Sequence, residues 1–79
     1  MPRRPPIYDE LAAQLRAARD SRGWTQRELA ERLKTSQSFV ARYERGARRL
    51  DIVEFVHVAD VLKLDIDDAL RTIRRRKRG

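Results

Sequence analysis

The sequence predicts an all-α protein, a compact bundle of about five helices, on three observations. Apolar residues recur at helical spacing along most of the chain. No stretch of useful length alternates apolar and polar residues with period two. Helix-start signals stand ahead of the apolar stripes, and two of them are capping boxes, Thr25 with Glu28 and Asp51 with Glu54. At 79 residues one domain is expected, with a core small enough that stability depends on efficient packing or on a partner.

Taken in order, residues 1–8 read as a flexible basic arm. The first six hold three prolines and two arginines and no core residue. A disordered tail is the simpler reading, although Arg3 and Arg4 could reach into a groove beside a nucleic-acid site. The domain proper is expected over residues 9–73. Its first helix runs from Asp9 to Arg22, with Leu11, Leu15 and Ala18 as the buried stripe. Asp9 and Glu10 in the first turn and Arg19 and Arg22 in the last suit the macrodipole, and Gly23 ends the helix.

From Thr25 to Gly46 the chain reads as two short helices joined by a tight turn. Leu29, Ala30 and Leu33 face inward on the first, and a residue as small as Ala30 lets two helices cross closely. Lys34, Thr35 and Ser36 interrupt the pattern, and Ser36 is a good N-cap for the next helix. That helix turns Val40 and Tyr43 inward, and Gly46 stands where a C′ glycine would end it. Phe39 shares a stripe with Tyr43, so packing is favoured over a contact with a thymine methyl. The outward face carries Gln37, Ser38 and Arg42, whose amide, hydroxyl and guanidinium are the groups that read base edges in a major groove.

Ala47 to Leu50 is a loop carrying Arg48 and Arg49. Asp51 caps a fourth helix whose core stripe is Ile52, Phe55, Val56, Ala59 and Leu62. Val58 and Val61 lie off that stripe and are more apolar than a solvated face needs. They are candidates for a dimer surface, weighed evenly against completing one small core. Asp65 caps a fifth helix with Ile66, Leu70 and Ile73 inward. Residues 74–79 follow as a basic tail, whose close like charges disfavour continued helix and add sequence-independent attraction to phosphates.

Net charge is +7, unevenly spread. Residues 1–50 hold twelve Lys and Arg against six Asp and Glu. Residues 51–70 hold six acids against Lys63 alone, and residues 71–79 hold six bases and no acid. A basic part beside an acidic part makes an oriented molecule, its basic side towards a polyanion. There is no cysteine and a single histidine, His57, so thiolate metal sites and a zinc site are excluded and no cofactor is expected. No apolar run would span a bilayer and no signal-peptide core is present, so a cytoplasmic, nucleoid-associated protein without a membrane partner is expected. No catalytic constellation is visible, which argues against an enzyme.

The stretch TQRELAERL…SQSFVARYERG resembles the helix-turn-helix of the lambda repressor, Cro and XRE family of DNA-binding proteins, and RRLDIVEFVHVADVLKLDIDDAL is similar to the next two helices of that domain. The resemblance spans roughly Leu11 to Leu70 and is carried by Gln26, Leu29, Ala30, Val40, Glu44 and Gly46. One departure is Lys34, where the family usually has glycine; a positive φ there would cost roughly 1 kcal/mol. The resemblance implies that Gln26 holds a phosphate and braces the recognition helix. It further implies that Gln37, Ser38 and Arg42 face base edges, and that Ser36, Arg45, Arg48 and Arg49 contact the backbone. It implies a structural ion pair between Arg19 and Glu44, and a core position for Trp24. The function implied is a sequence-specific double-stranded-DNA-binding transcriptional regulator, a repressor first, acting as a homodimer on a two-fold operator. The alternative is an antitoxin or other protein-interaction module, with a toxin or other protein partner and DNA binding as autoregulation. An RNA-binding peptide ranks last, because the five aromatic residues mostly sit at core spacing.

Overall fold

Each helix start from α2 onward is satisfied by a side chain placed to accept its free N–H groups, and those caps set the element boundaries. The computed structural model describes residues 6–78, with side chains over 8–75, so Arg3 and Arg4 lie outside the described residues. The described residues form five helices and no strand: α1 Pro6–Ser21, α2 Gln26–Leu33, α3 Gln37–Glu44, α4 Ile52–Leu62 and α5 Ile66–Arg78. Thr25 Oγ1 accepts from the Glu28 N–H at 3.0 Å while Glu28 Oε1 accepts from the Thr25 N–H at 2.8 Å. Asp51 and Glu54 repeat the exchange at 2.7 and 2.9 Å. Ser36 Oγ accepts from the Phe39 N–H at 3.1 Å, and Asp65 Oδ1 from the Asp68 N–H at 3.0 Å. Each such cap contributes about 1 kcal/mol.

Two boundaries differ from the sequence expectation. The first helix begins at Pro6, inside the expected arm, because proline is suited to the first helical position, where its missing N–H is not needed. The last helix continues to Arg78, through most of the expected tail. Arginine is a strong helix former, so the basic run carries the helix on.

The turn between α2 and α3 keeps left-handed geometry without glycine. Lys34 has φ 60°, and the Thr35 N–H donates to the Ala30 carbonyl at 2.9 Å. Lys63 ends α4 in the same way, with φ 58° and the Leu64 N–H donating to the Ala59 carbonyl at 2.9 Å. Each lysine carries a backbone cost of roughly 1–2 kcal/mol that the bonded carbonyls help to offset.

The core runs between α1, α2, α3 and α4 through Leu15, Leu29, Ala30, Leu33, Val40, Tyr43, Phe55, Val58, Ala59 and Leu62. Here the expected stripes need correction. Val58 is a core residue and so offers no dimer surface, while Val61 packs partly buried against the core. Ile52 and Val56 are exposed instead, as is Leu70, while Ala69 and Ile73 are buried. The reason lies in α4, where eight of eleven residues are apolar. The expected stripe and the observed one, Phe55-Val58-Ala59-Leu62, share three residues, and spacing alone does not choose between them. Packing against α1 and α2 does. On α5, the small Ala69 lies inward where that helix packs on α1. No helix among the described residues is long and apolar enough to cross a membrane.

The shifted face of α4 is testable by truncation. Val58→Ala is expected to lower unfolding free energy by about 1–3 kcal/mol, whereas Ile52→Ala stays within about 0.5 kcal/mol. Urea denaturation of the two variants measures this, and equal losses would restore the stripe read from spacing.

Candidate nucleic-acid interface

The exposed face of α3 is a surface held from behind. Val40 and Tyr43 are buried beneath it, and Phe39, partly buried, meets Tyr43 edge-on with ring centroids 5.5 Å apart. Ala30, 2% exposed, gives α2 its close approach to α3. On the other side Gln37, Ser38, Arg42 and Arg45 are exposed. At 100° per residue Ser38, Arg42 and Arg45 fall on the side of the helix turned from Val40 and Tyr43, and Gln37 flanks them at the exposed N-terminal end. Ser36, also exposed, accepts a hydrogen bond as the N-cap, which leaves its own hydroxyl hydrogen to donate outward. Arg42 and Arg45 make no ion pair among the described residues.

Beneath the C-terminal end of α3 lies a charged cluster. Arg19 Nε donates to Glu44 Oε2 at 2.7 Å and Nη2 to Oε1 at 3.0 Å, a bidentate pair. The two side chains are 9% and 3% exposed. Arg19 Nη1 also donates to the Trp24 carbonyl at 2.7 Å, and Gln26 Nε2 to Glu44 Oε1 at 2.9 Å. Thus α1, the start of α2 and the end of α3 meet at one carboxylate, and the α1–α2 turn is tied to the same arginine. The hydrogen bonds to Glu44 push the Arg19 guanidinium above its ordinary range, so it is charged at every accessible pH. Tyr43 next to it has a buried hydroxyl with no hydrogen-bond partner, and burial pushes its phenol up from the usual value, keeping it neutral.

A second clamp holds the loop after α3. Arg48 Nη1 and Nη2 donate to the two carboxylate oxygens of Glu54 at 3.0 and 2.9 Å, and Nη1 also donates to the Arg49 carbonyl at 3.1 Å. The same guanidinium lies 4.8 Å from the Phe39 ring centroid. Arg49 stacks over Tyr8 at 4.7 Å. Trp24, packed against the core, carries Arg32 at 4.0 Å and Arg22 at 5.4 Å over its ring.

The structure therefore groups Ser36, Gln37, Ser38, Arg42 and Arg45 on one surface. Arg48 and Arg49 stand at its edge with their guanidinium groups already engaged, and Gln26 is turned back onto Glu44. Sequence reasoning missed the Arg48–Glu54 clamp and the stacked arginines. A signal for the former existed, because the capping-box glutamate stands within a few residues of a loop arginine. The stacking depends on side-chain paths that no spacing encodes.

A family model described as a helix-turn-helix domain matches residues 10–72. No curated protein gives a significant match to the chain.

The clamps predict a direction of pH dependence. Arg48 holds the Glu54 carboxyl below the ordinary range, helped by the Asp51 N–H. The Thr25 N–H does the same for Glu28. A depressed folded pKa means the unfolded chain binds more protons, so this stabilisation is complete above the unfolded value of about 4.3 and is lost as pH falls through the lower folded values. Denaturation midpoints measured against pH are expected to drop on acidification, with a shallower drop in Glu54→Gln. Identical slopes in the variant and the wild type would show that the clamp has no stabilising linkage.

Proposed function

The chain belongs to the helix-turn-helix domain family, of the lambda repressor-like group, and from that premise we propose that it is a sequence-specific, double-stranded-DNA-binding transcriptional regulator, acting as a cytoplasmic repressor and not as an enzyme. One observation carries this reading: α3 presents Gln37, Ser38 and Arg42 on the outer side of a helix whose opposite face is buried and clamped. A helix of that diameter fits the major groove, where glutamine suits adenine and arginine suits guanine. Ser36 and Arg45 contact phosphates and set register, with Arg49 at the edge of the surface. Arg48 acts chiefly by holding the loop in place through Glu54, and Gln26 by bracing α3 through Glu44. A single domain covers a short footprint, so two copies on a two-fold operator are the natural assembly.

The division into readers and holders can be measured. Arg42→Ala is expected to lose about 1–3 kcal/mol on a preferred duplex and to relax preference at one base pair. Arg45→Ala is expected to weaken all duplexes alike and to lower the salt slope by about 1 for each phosphate it no longer neutralises. Titrations against preferred and scrambled duplexes at several salt concentrations distinguish the two. An Arg42→Ala variant with intact base preference and a flattened salt slope would reassign Arg42 to the phosphates.

A further inference from the structure

The outward face of α5 is cationic and uncommitted. Arg71, Arg74 and Arg75 stand at i, i+3 and i+4, so they share one side of the helix, and all three are exposed. Ala69 and Ile73, on the inner side, are buried. The three arginine side chains make no ion pair or hydrogen bond among the described residues. The helix goes on through Arg76, Lys77 and Arg78, and residues 71–79 hold six bases and no acid. The acids of α5, Asp67 and Asp68, are confined to its first turn.

This face lies on a different side of the molecule from the one α3 presents. Both helices pack on α1, but on separate flanks of it. Arg19 of α1 reaches Glu44 on α3, whereas Gln14 of α1 reaches the Ala69 carbonyl on α5 at 3.5 Å. The step from Gln14 to Arg19 turns a helix by about 140° net, so α1 stands between α3 and α5.

We propose that Arg71, Arg74 and Arg75 form a second, sequence-independent DNA site, which grips the phosphates of another duplex while α3 holds the first, so that one chain links two duplexes. The proposal rests on the DNA-binding reading above, which supplies the first duplex. The occupant follows from charge and from what the face lacks. A duplex carries one phosphate charge per roughly 1.7 Å of its axis, and unpaired guanidinium groups that neutralise those charges release counterions. No amide side chain stands on α5, and its one hydroxyl, Thr72 Oγ1, already donates to the Asp68 carbonyl at 3.0 Å. The face is therefore built to hold a backbone and not to read bases. A membrane surface would need an apolar stripe to insert. Ala69 and Ile73 are turned into the bundle, and Leu70, 44% exposed, is the one large apolar side chain exposed on α5 among the described residues.

The test uses the full chain, an immobilised duplex recovered by selection from a random-sequence library, and an unrelated labelled duplex in solution. Wild type bound to the immobilised duplex is expected to capture the labelled one whatever its sequence. The affinity of that capture is expected to fall about 40-fold between roughly 50 and 200 mM salt, for three phosphates at a slope of about 0.9 each. The triple variant Arg71→Gln, Arg74→Gln, Arg75→Gln keeps good helix formers. It is expected to lose capture about tenfold or more at the lower salt, while its retained binding to the immobilised duplex shows the fold intact. The triple variant Arg71→Lys, Arg74→Lys, Arg75→Lys is expected to keep most of the capture, because charge carries it. No capture by wild type, capture that survives in the glutamine variant, or capture lost in the lysine variant would each overturn the proposal. Equal weakening of both duplexes in the glutamine variant would place α5 on the same duplex as α3 and overturn the bridging. Capture of phosphatidylserine vesicles in preference to the labelled duplex would assign the face to a membrane and defeat the proposal. Failure to select any preferred duplex would sink the DNA-binding reading itself, a result distinct from all of these.

Discussion

A carboxylate almost sealed from water beneath the end of a helix persists only if its charge and its lone pairs are met. Glu44 is in that position, with its side chain 3% exposed. Isolated, it would cost several kcal/mol of desolvation. Arg19 meets it with two N–H groups and Gln26 with a third, so three helices converge on one charge. The arrangement contributes placement more than net stability, since buried ion pairs roughly break even against apolar packing. What it fixes is the angle and depth of α3 relative to α1 and α2. The exposed face of α3 inherits its rigidity from that cluster and from Tyr43 and Val40 beneath it.

The charge along the chain around this frame runs basic, then acidic over residues 51–70, then basic again in the second half of α5. Uncommitted cations at Arg42 and Arg45 lie on the outward face of α3, and the acids of residues 51–70 lie on α4 and α5 and their caps, beyond the loop. The loop joining the two regions is where opposite charges meet, in the Arg48–Glu54 clamp. One guanidinium there closes the start of α4, packs on Phe39 and holds the chain path that Arg49 follows.

Much of this was legible in the sequence where the physics is local. Thr25, Ser36, Asp51 and Asp65 announce helix starts because a cap needs only a side chain and the N–H groups two or three residues on. Lys34 announced a left-handed residue because it stands where the helix-turn-helix pattern usually has glycine. The face of α4 was not legible, since Val, Ile and Leu surround most of that helix and only contacts with α1 and α2 decide which of them turn inward. Nor was the start of α1, where three prolines suggested an arm and one of them serves as the first helical residue. On the surface, Gln37, Ser38 and Arg42 could be grouped from helical spacing. The partners of Gln26 and Arg48 depend on side chains meeting across the fold, at separations of 18 and 6 residues, and spacing does not report such meetings.

The Glu44 cluster sets the posture of α3. A double-mutant cycle over Arg19→Ala and Glu44→Ala, read simultaneously by urea denaturation and by hydrogen exchange of the α3 amides, tests it most directly. Either single variant is expected to lose about 3–5 kcal/mol by leaving a buried charge unpaired, and the double variant less than the sum. The α3 amides are expected to exchange faster in both single variants. A coupling energy no larger than the roughly 0–1 kcal/mol of an exposed pair, with α3 protection unchanged, would contradict it.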